Sequence, residues 1–375
     1  MPEPAARLRR ALAGLLLAWA IAVPSAAAAQ AAHNVVLVTL DGVRVQELFG
    51  GYDSIIAGAD QKYHGIYAPA RLRADYWRPT PESRRQALMP FFWDSLVPGG
   101  VVLGNQSRGS RVTLANPHRF SAPGYLELLT GRYQPDVTSN DPVRYPYRTI
   151  LELVREGLGL RRDEVALFGS WENFRFYGAS DSVMVVLNAG YDTLPDSLST
   201  PLLREFGRLQ RRALALWEGS RLDAFTGAMA LEYIRTRHPR LVYVAFNDTD
   251  DLSHSRRYDR LLDALHAADG FLQELWTTLQ ADPAYRGRTT LLVTTDHGRG
   301  RRPEDWDDHG SDVAGAEDIW VLLAGAGIPP QGEAVGGPPA RQAQVAATVL
   351  GLLGLPAALL GGEADPALQL PAGKR

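Results

Sequence analysis

Short runs of aliphatic residues alternate along this chain with longer stretches in which apolar positions recur at the spacing of an α-helix. The runs show no alternation of apolar and polar residues, which is typical of strands buried on both faces. Six strands are predicted in this way: Asn34–Leu40, Val101–Gly104, Val165–Phe168, Leu241–Phe246, Thr289–Thr294 and Ile319–Ala324. Six helices are also predicted: Tyr125–Leu129, Thr149–Glu156, Leu203–Trp217, Ala224–Arg237, Arg256–Leu279 and Gln342–Leu353. This order predicts an α/β fold, a three-layer sandwich with a mainly parallel central sheet and helices on both faces.

The first 30 residues have a pattern of their own. Arg7, Arg9 and Arg10 precede an apolar run from Ala11 to Val23, and a string of alanines follows. A basic segment, a short apolar segment and small residues at a cleavage site are typical of a secretory signal peptide. The apolar run is shorter than the roughly 20 residues that a membrane span requires. We therefore predict a cleavable signal peptide over residues 1–30, a secreted or periplasmic location, and no membrane span in the mature chain.

Two stretches between the predicted elements look irregular. Residues 50–90 are rich in Tyr, Arg and Pro, and residues 180–201 have the composition of a loop. Both are predicted to be loop insertions within a single domain that covers residues 31–360. Residues 361–375 are predicted to form a mobile tail.

Composition and charge narrow the possible functions. The net charge is −3, so the chain lacks the basic surface of a dedicated nucleic-acid binder. There is no cysteine, which excludes thiol nucleophiles and thiolate metal sites. Any metal must therefore be held by Asp, Glu or His side chains. No feature of the sequence indicates an oligomeric state.

Acidic residues and histidines follow several of the predicted strands. Asp41 follows the first strand, Asp248 and Asp250 follow the fourth, and Asp296 and His297 follow the fifth. Since sites of open α/β sheets form at the carboxyl ends of the strands, these side chains are expected to meet at one edge.

Two further histidines extend this group. His254 comes four residues after Asp250, so one helical turn places both on one face, and His309 follows an acidic stretch. Each piece alone also fits a turn, a surface pair or a solvated loop. Their joint occurrence favours a metal site. Carboxylate together with imidazole ligands suits zinc or manganese better than calcium.

A candidate nucleophile, Ser121, lies between the first and second acidic segments. Pro123 suits the first turn of a helix and Gly131 suits a helix end, which places Ser121 at or just before a helix N-terminus. The backbone N–H groups there favour an anion, such as a serine alkoxide or a phosphoryl group. Ser121 as a simple N-cap is the alternative, and this segment alone does not separate the two interpretations. The neighbouring metal candidates favour catalysis.

Taken in order, these segments resemble the alkaline phosphatase superfamily. The resemblance is greatest to its branch of type I phosphodiesterases and nucleotide pyrophosphatases, and it extends over about residues 34–353. The segments that carry it are Leu40-Asp41-Gly42, Phe120-Ser121-Ala122-Pro123-Gly124-Tyr125 with Thr130-Gly131, Asp250 with His254, Asp296-His297-Gly298, and His309-Gly310.

The resemblance implies a secreted two-metal hydrolase of a small phosphate ester, with two divalent ions, Zn²⁺ first and Mn²⁺ as the alternative. One ion would be held by Asp250, His254 and His309, and the other by Asp41, Asp296 and His297. Ser121 would bridge them as the attacking alkoxide and form a phosphoseryl intermediate. Asn140 would bind a phosphoryl oxygen, with Asn116 as the competing candidate. Three aspartates and an alkoxide carry four negative charges, which matches two divalent cations.

Several alternatives remain open at this stage. Thr130-Gly131-Arg132 also fits the sulfatase signature, but Tyr125 replaces its arginine, so sulfate ester hydrolysis ranks second. A non-catalytic binding protein of the same fold is a further alternative. A Ser-His-Asp hydrolase is disfavoured, because the Gly-x-Ser-x-Gly motif is absent around Ser121.

The second group on the phosphate decides between a diester and a monoester. A diesterase needs an aromatic slot, for which the candidates are Trp171, Phe174, Tyr177, Tyr76 and Trp77. A monoesterase needs extra cations, for which the candidates are Arg44, Lys62 and Arg132. We favour a diester or a nucleotide pyrophosphate, with monoesters and phosphonates as alternatives.

Overall fold

The computed structural model describes residues 33–58, 65 and 67–370. The predicted signal peptide lies outside the described residues. The strands are β1 (Asn34–Leu40), β2 (Gly100–Leu103), β3 (Val112–Thr113), β4 (Val165–Gly169), β5 (Val186–Ala189), β6 (Leu241–Phe246), β7 (Thr289–Thr294), β8 (Asp318–Ile319), β9 (Val321–Gly325), β10 (Gly332–Glu333) and β11 (Ala340–Arg341). The helices are α1 (Val45–Gly50), α2 (Pro69–Tyr76), α3 (Pro81–Leu88), α4 (Ser121–Thr130), α5 (Ile150–Gly157), α6 (Phe174–Tyr177), α7 (Pro201–Gln210), α8 (Asp223–Arg237), α9 (Asp248–His254), α10 (Tyr258–Ala281) and α11 (Gln344–Leu352).

The main sheet has the strand order β10-β2-β9-β7-β1-β6-β4-β5. Its centre is parallel, because β1 pairs in parallel with both β6 and β7, and β4 pairs in parallel with β5 and β6. Only β9 runs antiparallel to its neighbours β2 and β7 in this sheet as described. A small second sheet has the order β11-β3-β8. The predicted α/β fold with a mainly parallel central sheet is confirmed.

Successive residues of β1 face opposite layers, as the pleat of a strand requires. Val36 and Val38 pack into a core with residues of α8 and α10, whereas Val35 and Leu37 pack into a core with residues of α4, α5 and α11. All seven residues of β1 are buried. The sheet is therefore covered by helices on both faces, which accounts for its continuous apolar runs.

Two predicted elements have different limits in the structure. The run predicted as one strand, Ile319–Ala324, is divided between β8 and β9, which belong to different sheets and are separated by the fully buried Trp320. Helix α7 ends at Gln210 instead of Trp217. Beyond Gln210 the aliphatic side chains of Leu214 and Leu216 are 78% and 54% exposed, so no apolar face remains there for a helix to bury.

Both segments predicted as loop insertions contain regular structure. Helices α2 and α3 lie within residues 50–90, and their prolines, Pro69 and Pro81, occupy the first turn, where proline is well tolerated. The Thr80 side chain also caps α3 by accepting a hydrogen bond from the Ser83 N–H. Strand β5 lies within residues 180–201 and pairs with β4. The prediction of irregular structure for these two segments is therefore wrong in part.

The predicted mobile tail is packed against the domain as far as residue 370. Leu368 is buried, and its N–H donates a 2.8 Å hydrogen bond to the Thr348 hydroxyl. The Asp365 N–H donates a 2.9 Å hydrogen bond to the Gly131 carbonyl at the end of α4. Residues 371–375 lie outside the described part of the chain. Within the described part, no helix is long and apolar enough to cross a membrane.

Candidate active site

The pairing of the central strands brings the acidic segments together. In the parallel register, Thr39 of β1 lies beside both Ala245 of β6 and Thr294 of β7. Asp41 comes two residues after Thr39, and Asp296 comes two residues after Thr294. The two aspartates therefore lie side by side at the edge of the sheet. The Gly42 N–H donates a 3.1 Å hydrogen bond to Asp296 Oδ1, which joins the two loops.

Asp41, Asp296 and His297 form a group that could hold a metal ion. All three are fully buried, and His297 Nε2 lies 3.3 Å from Asp41 Oδ1 and 3.5 Å from Asp296 Oδ2. Asp41 Oδ1 and Asp296 Oδ2 have no hydrogen-bond donor among the described residues. A buried carboxylate oxygen without a partner is costly. The donor types and these two unpaired oxygens therefore fit a bound cation.

A second group lies beside the first. Asp250 and His254 occupy one face of α9, and His254 Nε2 is 3.4 Å from Asp250 Oδ2. His309 Nε2 lies 3.0 Å from His254 Nε2 and 3.8 Å from Asp250 Oδ1. The ring nitrogens of both histidines thus converge on the Asp250 carboxylate.

His297 stands between the two groups. Its Nε2 also lies 3.8 Å from Asp250 Oδ1, and Asp250, His297 and His309 form a further group that could hold an ion. The structure therefore brings all six predicted ligand residues into one cluster. His297 belongs to both groups, so the structure does not divide the ligands between two ions as clearly as the resemblance implied.

Ser121 is the first residue of α4 and faces this cluster. Its Oγ lies 3.4 Å from His297 Nε2. The N-cap of α4 is Phe120, whose side chain makes no capping hydrogen bond, so the alternative interpretation of Ser121 as the N-cap is wrong. Gly124 allows this approach, because a Cβ at that position would lie 2.4 Å from the Asp296 carbonyl oxygen.

The two candidate asparagines have different surroundings. Asn140 is exposed, and its Oδ1 accepts a 2.9 Å hydrogen bond from the N–H of Ala122, the residue after Ser121. Asn116 is buried, donates to Glu127 Oε2 at 2.8 Å and accepts from the Arg119 N–H at 2.8 Å. Both ends of the Asn116 amide are thus already bonded within the protein. Of the two candidates, Asn140 lies beside the serine, and its amide nitrogen makes no hydrogen bond to another described residue.

A sequence profile described as type I phosphodiesterase / nucleotide pyrophosphatase matches residues 49–348. The chain belongs to this family. The match includes Ser121 and every candidate ligand except Asp41. Among curated proteins, no sequence matches the chain.

Solved structures show the same fold. The lipoteichoic acid synthase LtaP from Listeria monocytogenes superposes with a TM-score of 0.55 at 13% identity, covering 90% of this chain and 76% of that one. The phosphonate monoester hydrolase SpPMH from Silicibacter pomeroyi gives 0.53 at 14% identity, with 91% and 78% covered. A mutant of alkaline phosphatase PafA gives 0.54 at 11% identity, with 86% and 96% covered. The resemblance to the alkaline phosphatase superfamily is confirmed, and this family and several of its structural neighbours are hydrolases of phosphate or sulfate esters.

The protonation of the histidines in this family member follows from their surroundings. Burial lowers the pKa of His309, and the neighbouring charges of His297 and Arg299 lower it further. Burial also lowers the pKa of His254. For His297, burial acts in the same direction, but the carboxylates of Asp296 and Asp41 outweigh it and raise the pKa to about 9. His254 and His309 are therefore neutral and able to coordinate, whereas His297 must lose a proton first.

Two features of the site were not identified from the sequence. Arg299 is fully buried, its guanidinium contacts Asp250 Oδ1, and it also donates to the Asp307 carbonyl at 2.7 Å. Its place directly after Asp296-His297-Gly298 was the available signal. The Gln342 side chain donates 2.9 Å hydrogen bonds to the carbonyls of Thr295 and Asp296, and no local pattern indicated that contact.

The buried carboxylate of Glu127 joins α4 to the residues around the site. It accepts hydrogen bonds from the N–H groups of Ala115, Asn116 and Ala343 and from the Asn116 side chain. Ala343 follows Gln342, so the nucleophile helix and the Asp296 loop are both attached to the same short segment before α11. These hydrogen bonds help to position Ser121 and Asp296, although Glu127 contacts neither side chain.

The aromatic residues considered as a slot for the second ester group lie in two different places. Trp171 and Tyr177 lie with their ring centroids 5.6 Å apart next to α4, and Tyr177 donates a 2.6 Å hydrogen bond to the Asp141 carbonyl beside Asn140. Phe174 packs edge-on against Tyr125 at 4.6 Å and is buried. The other two candidates, Tyr76 and Trp77, contact Asp263 and Arg73 instead.

The arginines considered as candidate cations for a monoester pair with other groups of the protein. Arg44 is buried against Glu47 and donates to the Gly300 carbonyl at 2.7 Å. Arg132 lies 3.6 Å from Glu363. Lys62 lies outside the described residues. The described part of the site therefore has an aromatic side chain near Ser121, but neither Arg44 nor Arg132 is available there to pair with a phosphate.

Proposed function

We propose that this chain is a two-metal phosphoric ester hydrolase that acts through a phosphoseryl intermediate. The observation that carries the proposal is the position of Ser121 Oγ, 3.4 Å from His297 Nε2, beside two buried carboxylate oxygens for which the described residues supply no donor. Asp41, Asp296 and His297 would hold one ion, and Asp250, His254 and His309 the other. Carboxylate and imidazole donors fit Zn²⁺ first, with Mn²⁺ as the alternative.

The bound ions would neutralise the aspartates, favour the serine alkoxide and stabilise charge on the leaving oxygen. Ser121 Oγ loses its proton and attacks phosphorus from the side opposite the leaving oxygen; the bond from phosphorus to that oxygen breaks, and the leaving group takes up a proton. Water then attacks the phosphoserine, the Oγ–P bond breaks, and Ser121 regains its proton. Phosphate or a phosphate monoester leaves, so atoms and charge balance over the two steps.

Asn140 would stabilise the transition state from the protein side. Its Oδ1 is held by the Ala122 N–H, which orients the amide and leaves Nδ2 free to donate to an equatorial phosphoryl oxygen. Negative charge on that oxygen grows in the transition state, so a fixed donor lowers the barrier. The hydrogen bond from the Asn173 side chain to the Asn140 carbonyl, at 2.8 Å, supports the same orientation.

The substrate we favour is a phosphodiester or a nucleotide pyrophosphate. A monoester carries a second negative charge, and the described site shows neither Arg44 nor Arg132 free to meet it. Trp171, which is partly exposed and packs beside Ala122 of α4, offers aromatic surface for the second ester group, whereas Tyr177 is buried beneath it. Sulfate esters rank lower, because Tyr125 stands where a sulfatase has arginine and its hydroxyl is already bonded to Asp41.

We also propose that residues 1–30 are removed as a signal peptide, that the enzyme acts outside the cytoplasm, and that residues 31–360 form one domain. The basic and apolar pattern of the N-terminal segment supports the first two statements, and the continuous sheet supports the third.

The experiment that tests the function compares matched aryl esters. Bis(4-nitrophenyl) phosphate, 4-nitrophenyl phosphate and 4-nitrophenyl sulfate share one leaving group, so their rates report on the group that is transferred. We expect the diester to be hydrolysed fastest, a chelator to abolish turnover, and Zn²⁺ to restore it. Turnover that survives complete removal of metal would contradict the proposal, and faster hydrolysis of the sulfate would favour the sulfatase alternative.

A further inference from the structure

Helix α9 carries two of the proposed metal ligands but does not cap its own N-terminus. The side chain of its N-cap residue, Asn247, makes no capping hydrogen bond and donates instead to Asp251 Oδ2 at 2.6 Å. The first N–H groups of a helix have no acceptor within the helix, so they need one from elsewhere. In a helix that covers only Asp248–His254, the position of this end decides where Asp250 and His254 lie.

Asp223, the first residue of α8, supplies the missing acceptors. Its Oδ1 accepts a 2.8 Å hydrogen bond from the Asn247 N–H, and its Oδ2 accepts a 3.1 Å bond from the Asp248 N–H. The Asp223 N–H in turn donates to Asp248 Oδ2 at 3.3 Å. Because one carboxylate holds two consecutive N–H groups, it restrains both the position of α9 and the direction in which this helix leaves β6.

Asp223 is itself held by a chain of buried hydroxyl groups. The Ser170 hydroxyl donates a 2.6 Å hydrogen bond to Asp223 Oδ1 and lies 2.7 Å from the Thr226 hydroxyl. Thr226 Oγ1 also accepts a 2.8 Å bond from Arg221 Nε. Since Ser170 gives its only proton to the carboxylate, it accepts from Thr226. Each hydroxyl in this buried chain therefore donates once and accepts once.

Arg221 anchors the far end of the chain of hydroxyls. It is fully buried, and its Nη1 donates to Asn188 Oδ1 at 2.7 Å and to Gln210 Oε1 at 3.4 Å. Asn188 belongs to β5 and Gln210 is the last residue of α7. A polar network thus runs from the interior of the domain to the N-terminus of α9, and it holds this helix from outside.

We propose that Asp223 is a positioning residue for the ion held by Asp250, His254 and His309. This inference rests on the proposed function, because it concerns one of the two ions named there. Asp223 lies outside both ligand sets and acts through α9, which sets where Asp250 and His254 stand relative to His309 on another loop. Groups that hold metal ligands in place typically change metal affinity or activity by about 10- to 100-fold when they are lost.

The test is competition for Zn²⁺ between the metal-free full chain and a chromophoric chelator, which measures both binding steps without using catalytic activity. Asp223→Asn keeps the shape but replaces one acceptor with an N–H donor that faces a backbone N–H, so α9 loses one of its two bonds. We expect the affinity of one step to fall about 10- to 100-fold and that of the other to change much less. His254→Ala identifies the affected step, because it removes a ligand that α9 itself carries.

Asp269→Asn is the matched control. Asp269 is a buried aspartate of α10 whose two oxygens accept hydrogen bonds from the N–H groups of Phe91 and Phe92, at 2.8 and 2.7 Å. Both substitutions remove the same kind of bond, so both should lower the midpoint of thermal unfolding of the metal-free chain. Only Asp223→Asn should weaken metal binding, which a purely structural role of Asp223 would not do.

Ser170→Ala covers the case in which Asp223→Asn fails to fold. It removes a hydroxyl that holds Asp223 but leaves both bonds to α9, so it should weaken the same step by a smaller factor. If Asp223→Asn does not fold and Ser170→Ala binds both ions as the parent does, the proposal is wrong.

The remaining outcomes separate this proposal from the proposed function. Suppose that the parent chain binds two ions. Parental affinities in Asp223→Asn, equal weakening of both steps, or the same loss in Asp269→Asn would then overturn the role of Asp223 and leave the two-metal site standing. A parent chain that binds fewer than two ions would instead overturn the proposed function, and the positioning role with it.

Discussion

The Tyr125 hydroxyl donates a 2.7 Å hydrogen bond to Asp41 Oδ2, and both residues are fully buried. Tyr125 lies one helical turn after Ser121, so a single short helix carries the candidate nucleophile and orients a candidate metal ligand from β1. Burial and the charges of Asp296 and Asp41 raise the pKa of Tyr125 well above its usual value, which keeps it a neutral donor. This bond leaves Asp41 Oδ1 as the free oxygen of that carboxylate.

Tyr125→Phe should weaken metal binding while leaving the fold intact. Loss of a hydrogen bond that orients a ligand typically costs about 10- to 100-fold in metal affinity or activity. Competition with a chromophoric chelator measures the affinity, and thermal unfolding of the metal-free protein checks the fold. Tyr133→Phe is the matched control, because Tyr133 contacts His118 and no candidate ligand. Unchanged metal affinity in Tyr125→Phe would show that Asp41 needs no such support or is not a ligand.

Ser121→Ala should abolish turnover and leave the metal content unchanged. The Oγ lies at the edge of the cluster, and the two groups that could hold ions are formed by five Asp and His side chains without it. Elemental analysis measures the metal, and quenched reactions with a radiolabelled diester report the phosphoenzyme, which should form in the parent and not in the variant. Ser121→Thr keeps a hydroxyl at the same place and should retain some activity. Near-normal turnover by Ser121→Ala would refute the nucleophile assignment.

Metal affinity should rise with pH up to about 9. The raised pKa of His297, about 9, means that this ring carries a proton in the metal-free protein at neutral pH. Only the neutral ring coordinates, so binding must release that proton, and affinity increases about tenfold per pH unit below the pKa and levels off above it. Calorimetry in buffers of different ionisation enthalpy counts the released protons. A proton count of zero at pH 7 would contradict the assignment of His297 as a ligand.

Gly124→Ala should disturb the site far more than an ordinary helix substitution. The new Cβ would lie 2.4 Å from the Asp296 carbonyl oxygen, which belongs to the backbone and cannot rotate away. We expect a loss of about 1–3 kcal/mol in the free energy of unfolding and a large fall in kcat. Gly270→Ala in α10 is the matched control, since nothing lies within 4 Å of its added Cβ. That change should stabilise the protein by about 0.5–1 kcal/mol. Equal effects of the two substitutions would show that α4 can shift without harm.

Much of this architecture could be predicted locally. The aliphatic runs of β1, β6 and β7 are continuous because both faces are covered, and each ends in the acidic residues that line the candidate site. The predictions from sequence were wrong where the role of a side chain depends on the residues that pack against it. Pro69 and Pro81 start helices α2 and α3, although prolines in an irregular segment suggested loops. Leu368 is buried, although its position near the C-terminus suggested a free tail.

By itself, the sequence determined the fold class and the residue types at the strand ends, because buried parallel strands and metal ligands need particular side chains at particular places. Only the tertiary structure decided which of these groups is available for chemistry. Arg44 donates to the Gly300 carbonyl and Tyr125 donates to Asp41 Oδ2, whereas Asp41 Oδ1 and Asp296 Oδ2 have no donor in the described part of the chain. Whether a polar group is satisfied depends on partners that folding brings from distant parts of the chain, and no local pattern records those partners.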